Sequence, residues 1–241
     1  MFCNMEKKLI SFILVVLLAH PLFSQQTFEK IISHPEDQVI YDAVADEDGN
    51  FLLVGSISTI DIQHRSGYVV KLDEYGNIQQ ELSIRQNDTS SCYFTNIHYV
   101  NQCYYIFGAV SVDSVTEKIW CVKLNDGLEV VDERVLNTVD KRLFAIMNSI
   151  FDSDSNFVLT GYTERPDTSH MGSPIFNYDP FFYKTNLDGD SLKAKFLTYT
   201  HPLSTMFDII ESKDSTKYFA FGWKFTDVFA TSSVMLTLNK E

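Results

Sequence analysis

Glu164, Arg165, His170, Tyr178 and Asp179 fall within a single stretch of sixteen residues. Carboxyls and an imidazole can take up and return protons near neutral pH, while a guanidinium and a phenol can hold an oxygen-rich or anionic group. Two smaller sets of the same character lie elsewhere, His64 with Arg65 and Trp223 with Lys224. Acid–base chemistry on this basis would use Glu164, Asp179 and His170. Plain binding would use Tyr178, Trp223 and Phe176 as contact aromatics.

Other chemistry-bearing types are present without the spacing that chemistry needs. Asp46 with Asp48, Asp152 with Asp154 and Asp188 with Asp190 are close carboxylate pairs beside Gly, Ser and Asn. Hydrolysis wants two carboxyls facing one substrate about 5–9 Å apart, whereas these read as turn residues that bond their own amides. Calcium is the one ion they could take, but the EF-hand loop spacing with its distal Glu is absent, and no cofactor is expected. Outside the first 24 residues the histidines are His34, His64, His98, His170 and His201, with no metal-ligand spacing among them. No phosphate-binding glycine loop, dinucleotide fingerprint or nucleophile elbow occurs. Cys92, Cys103 and Cys121 are odd in number, which fits small buried thiols or a single cross-strand bond and not a disulfide scaffold.

The elements that must position these residues come from a repeat. Four apolar stretches each run into a glycine, at Phe51–Gly55, Tyr104–Gly108, Phe157–Gly161 and Tyr218–Gly222, with the glycines 53, 53 and 61 residues apart. Self-similarity at such a period marks a repeat architecture. A short alternating segment precedes each stretch, beginning at Tyr41, Phe94, Met147 and Phe207, across a link rich in Asp, Asn, Gly and Ser. Each pair therefore reads as a β-hairpin. A third strand follows at Tyr68–Asp73, Trp120–Asn125, Phe181–Asn186 and Val234–Asn239, and a more polar fourth at Ile78–Ile84, Leu128–Leu136 and Leu192–Leu197.

The units run over about 39–86, 92–137, 144–198 and 205–241. The last stops before a fourth strand, and the polar-apolar segment 27–33 has the character of the missing one. The expected fold is all-β: a propeller of about four four-stranded blades, within the known range of four to eight, whose N-terminal strand completes the last blade. The alternative is a larger propeller cut short. Loops between second and third strands share one face with the connections between blades, and the third of them, Thr163 to Pro180, is the longest. Long excursions on a repeat scaffold carry function more often than not. They would gather Glu164, Arg165, His170, Tyr178, Asp179, His64, Arg65, Trp223 and Lys224 around one mouth.

Asp48-Gly49-Asn50-Phe51, Val54-Gly55, Val70-Lys71-Leu72-Asp73 and Gly76-Asn77-Ile78 resemble the repeats of bacterial secreted β-propellers. The likeness spans nearly the whole chain after residue 24. Only the first unit matches fully, since Thr237 stands where the third strand of the others has lysine. The resemblance implies the fold and leaves the role open, because that family is diverse.

Residues 1–24 read as a secretory leader, with Lys7 and Lys8 before an apolar run from Leu9 to Ala19. That run is too short for a membrane-spanning helix of ~20 residues, so export without membrane insertion is expected, and 25–241 form the propeller domain. A net charge of −13 disfavours phosphate backbones and anionic lipid surfaces, leaving a protein or a glycan as the expected partner.

Overall fold

The computed structural model describes residues 29, 31–32, 34–58, 65–113, 116–136, 143–165, 177–197, 204–227 and 230–240. The chain divides into Met1–Ile32 and Ser33–Glu241, and every strand belongs to the second unit. Fifteen strands run in order: β1 Asp37–Ala45, β2 Phe51–Ser58, β3 Arg65–Leu72, β4 Ile78–Ile84, β5 Cys92–Val100, β6 Cys103–Ser111, β7 Glu117–Asn125, β8 Val130–Val135, β9 Leu143–Phe151, β10 Phe157–Arg165, β11 Asn177–Thr185, β12 Ser191–Phe196, β13 Ser204–Glu211, β14 Lys217–Asp227 and β15 Ala230–Asn239. They form antiparallel sheets β1-β2-β3-β4, β5-β6-β7-β8, β9-β10-β11-β12 and β13-β14-β15, each in chain order. The first strand of each later sheet packs across the first three strands of the sheet before it. Sheets stacked in this way are the blades of a β-propeller.

The repeated glycine has one physical cause. In each blade the first strand carries a bulge opposite it, so that Tyr41, Thr95, Met147 and Phe207 have no register partner. The bulge presses a first-strand carbonyl onto the neighbouring strand. A Cβ at Gly55 would sit 1.8 Å from the Val39 oxygen, and at Gly108, Gly161 and Gly222 1.9 Å from those of Tyr93, Ala145 and Thr205. Only a residue without Cβ survives that approach. An Asx residue follows each bulge: Asp42, Asn96, Asn148 and Asp208. Asp42 accepts the Ala43 amide at 2.8 Å and reaches into the next blade to accept the Ile97 amide at 3.0 Å, and Asn148 donates to Asp208.

Apolar side chains fill the three junctions. Leu52, Val54 and Val69 of the first blade meet Phe94, Ile106, Trp120 and Val122 of the second, where the Phe94 and Trp120 rings stack at 4.8 Å. Tyr105, Phe107 and Ile119 meet Phe144, Phe157 and Phe181, and Val158 with Phe182 meet Met206, Ile209 and Tyr218. Each such aromatic contributes roughly 1.5–3 kcal/mol by leaving water. Cys92, Cys103 and Cys121 are free thiols, the first of them fully buried.

One sequence expectation needs amendment. The strand anticipated over 27–33 is not among the fifteen: Glu29, Ile31 and Ile32 lie in no strand, and the rest of that stretch falls outside the described residues. Ile31 is 81% exposed, so it gains none of the burial that holds a short edge strand in place. Among the described residues the fourth sheet therefore has three strands. In the turn after β7 the left-handed residue is Leu128, at φ 61°, and not the neighbouring Gly127. Leu128 is 3% exposed in the first junction, and its burial offsets the conformational cost.

Candidate functional site

Polar groups concentrate at both ends of the blades. At the turn face they are spent on structure. Asp46 Oδ1 accepts the amides of Asp48 and Asn50 at 3.0 and 2.8 Å, and Asp152 Oδ1 those of Asp154 and Asn156 at the same two distances. The remaining oxygen of each aspartate points across a junction. Tyr104 donates to Asp46 Oδ2 at 2.9 Å with Lys71 Nζ at 3.6 Å, and Tyr218 donates to Asp152 Oδ2 at 2.5 Å with Lys184 Nζ at 2.9 Å. Burial pushes both carboxyls up, but the hydrogen bonds they accept prevail and hold them below the usual carboxylate range. The tyrosine, aspartate and lysine thus form a latch, repeated at the first and third junctions.

The second junction has no such latch, because Phe157 stands where the others have tyrosine. It carries a different pair: His98 Nε2 lies 2.7 Å from Ser149 Oγ, with the His98 ring 5.4 Å from that of Phe157. Burial drives His98 down to about 4, against a smaller upward pull from Asp42. The imidazole is therefore neutral at pH 7.

At the opposite, loop-bearing face, Glu117, Glu164 and Asp179 stand on strands. Arg65 and Glu117 open β3 and β7, opposite Ser58 and Ser111, while Tyr178 in β11 faces Glu164. Each partner lies three residues beyond the repeated glycine, so the three junction-facing ends present a guanidinium, a carboxyl and a phenol at equivalent positions. Tyr93 donates to Glu117 Oε2 at 3.4 Å. Burial raises the Glu117 carboxyl above its ordinary range, Tyr93 and Arg65 lower it, and Glu164 raises it again, so burial prevails. The Tyr162 and Tyr178 rings sit 4.8 Å apart at 59°, and burial, Tyr178, Glu117 and Glu164 together raise the Tyr162 hydroxyl. Glu164 and Asp179 are 9% and 1% exposed.

Of the residues singled out in the sequence, Arg65, Glu164 and Tyr178 thus converge on one neighbourhood, with Asp179 beside Tyr178 on β11 and opposite Thr163. Arg165 ends β10 opposite Asn177. Trp223 and Lys224 lie in β14, opposite Thr205 and Ser204, and Trp223 borders Phe207 at 6.2 Å. They belong to the fourth blade's end of the face. His64 and His170 lie outside the described residues. Sequence reading missed Tyr93, Glu117 and Tyr162. Glu117 opens β7, but counting from the glycine does not align it with Arg65, and their equivalence emerges only in the strand register, Glu117 opposite Ser111 and Arg65 opposite Ser58. Tyr162 directly follows its glycine, as Trp223 follows Gly222, and that parallel was readable.

No family model and no curated protein matches the chain. Solved structures do. A Bifidobacterium bifidum protein named for exo-β-1,3-galactanase activity aligns over 85% of this chain and 69% of its own at 14% identity and a TM-score of 0.48. A neuraminidase-like protein of a flat-faced bat isolate aligns over 89% and 62% at 11% identity and 0.45. The Pyrococcus horikoshii acylaminoacyl peptidase aligns over 82% and 32% at 10% identity and 0.42. The chain thus spans about two thirds of the first two and a third of the last.

Proposed function

We propose that this chain is an exported β-propeller that binds a glycan at its loop face without transforming it. The observation that carries the reading is the tilted Tyr162–Tyr178 pair, half-buried, with the buried Glu164 opposite Tyr178 across the strand pair. Phenol rings offer apolar faces to sugar C–H groups, and carboxylates with Arg65 offer acceptors and donors to hydroxyls. Titration calorimetry with an oligosaccharide selected on a glycan array tests it. Tyr162→Ala and Tyr178→Ala are expected to weaken binding by about tenfold or more, a loss of roughly 1.4 kcal/mol each. Unchanged affinity in both variants refutes the reading.

A second reading has its own observation. Burial raises the Glu117 carboxyl, which shares its surroundings with Glu164, and a neighbouring pair of carboxyls is what a glycosidase works with. Reducing-sugar release from the same oligosaccharide, abolished in Glu117→Gln, would establish it. Intact oligosaccharide after prolonged incubation would leave binding alone.

A further inference from the structure

Three of the sheets carry a fourth strand, and among the described residues the last sheet ends at β15. The third-strand residues opposite the repeated glycines are Tyr68, Trp120, Phe181 and Val234. In the first three sheets, residues 68–72, 120–124 and 181–185 pair onward with β4, β8 and β12. The equivalent residues 234–238 pair with β14 alone among the described residues. Backbone amides and carbonyls along such an edge are a template for one more strand.

The neighbouring blade says what chemistry that strand would meet. Alternate residues of each outer strand face the next blade. β4 turns Leu82 and Ile84 into the core of the first junction, and β8 turns Asp132 and Arg134 toward the third blade, where the two pair with each other at 2.8 Å. β12 turns Lys193 and Lys195, the register partners of Lys184 and Phe182, toward the fourth. Phe182 packs in the core of the third junction and Lys184 donates to the Tyr218 hydroxyl at 2.9 Å, which fixes the direction of that face. The two β12 lysines line a groove of about 230 Å³ together with Phe182 and the β15 residues Thr237, Leu238 and Asn239. Lys193 donates to the Asn239 carbonyl at 3.5 Å, and Lys195 is exposed. Among the described residues no carboxylate lines this groove, in a chain of net charge −13. An extended segment with acidic side chains at every second position matches both the edge and its lysines.

We propose that β15 takes up an extended acidic segment of another protein as the fourth strand of the last sheet, its backbone bonding residues 234–238 and its alternate carboxylates meeting Lys193 and Lys195. The probe is a fluorescent synthetic peptide of about seven residues in which valine and glutamate alternate, titrated by anisotropy into the full chain purified after export from an expression host. Binding is expected, weakened about tenfold or more by Lys195→Glu. The same variant should in turn accept a peptide with lysine in place of each glutamate, which the parent rejects. Lys195 is exposed on an outer strand, so the fold survives its replacement, which an unchanged melting curve verifies. Hydrogen exchange on the parent should slow, with peptide bound, at those amides of 234–238 that do not bond β14. No binding, equal binding of the two peptides, or protection confined to other strands would each overturn the proposal. So would edge amides already protected in the free chain, the mark of its own segment 27–33 or of a second copy in that place.

Discussion

The two ends of the blades use the same residue types for opposite purposes. At the turn face, Asp46 and Asp152 have all their oxygens bonded to backbone amides, a tyrosine and a lysine, and both carboxyls are held below their ordinary range. At the loop face, Glu117 is pushed the other way, and its neighbours are phenols and a second carboxyl. Groups that stabilise a fold are satisfied within it. Groups kept for a partner carry a burden until the partner arrives. On the proposed reading, the turn-face carboxylates are the stability determinants and the loop-face carboxyls the affinity determinants.

The strongest way to break this contrast is at the third junction. Asp152→Ala leaves Lys184, with a side chain 9% exposed, only the more distant and more exposed carboxylate of Asp154 at 3.5 Å, and should cost about 3 kcal/mol in urea unfolding. Glycan affinity, measured while the protein is still folded, should not move. The sign with pH follows from the lowered carboxyl. The contribution of Asp152 is complete above the ordinary aspartate range and disappears as pH falls through its depressed value.

The His98–Ser149 pair gives the next largest effect. Its folded value of about 4 lies below the 6.5 of an exposed histidine, so protonation favours the unfolded chain. Stability should decline between pH 6.5 and pH 4, by on the order of 2 kcal/mol once solvent screening is allowed for. His98→Gln, which keeps a hydrogen-bonding group for Ser149, should flatten that slope.

Much of the scaffold was readable because its causes are local. The glycine period, the Asp-rich links and the alternating strands each follow from short-range geometry, and the bulge explains why the glycine recurs. The aspartate pairs were readable as turns for the same reason. The loop-face cluster was only half readable. Arg65, Glu164 and Tyr178 declared themselves by type, but Tyr93 and Glu117 meet across the second sheet, from its first and third strands, 24 residues apart and with no local pattern to announce it. Likewise, the latches depend on residues 58 and 66 positions apart. The exposure of Phe221, at 37%, was hidden altogether, since in sequence it matches its buried counterparts Val54, Phe107 and Thr160.

The smallest effect sharpens the contrast from the other side. Glu117→Gln removes a carboxyl that burial penalises, so the variant should match or exceed the parent in stability at pH 7, by no more than about 1 kcal/mol. The difference should vanish as pH falls below the ordinary glutamate range, where both side chains are neutral. Thermal unfolding across that range checks it.

The tyrosines offer the most direct comparison, because both ends of the blades contain them. In a ring-labelled NMR titration with the array-selected oligosaccharide, Tyr93, Tyr162 and Tyr178 should shift in proportion to bound ligand, while Tyr104 and Tyr218 stay fixed. Shifts confined to Tyr104 and Tyr218, or none at saturating oligosaccharide, would contradict a binding site at the loop face.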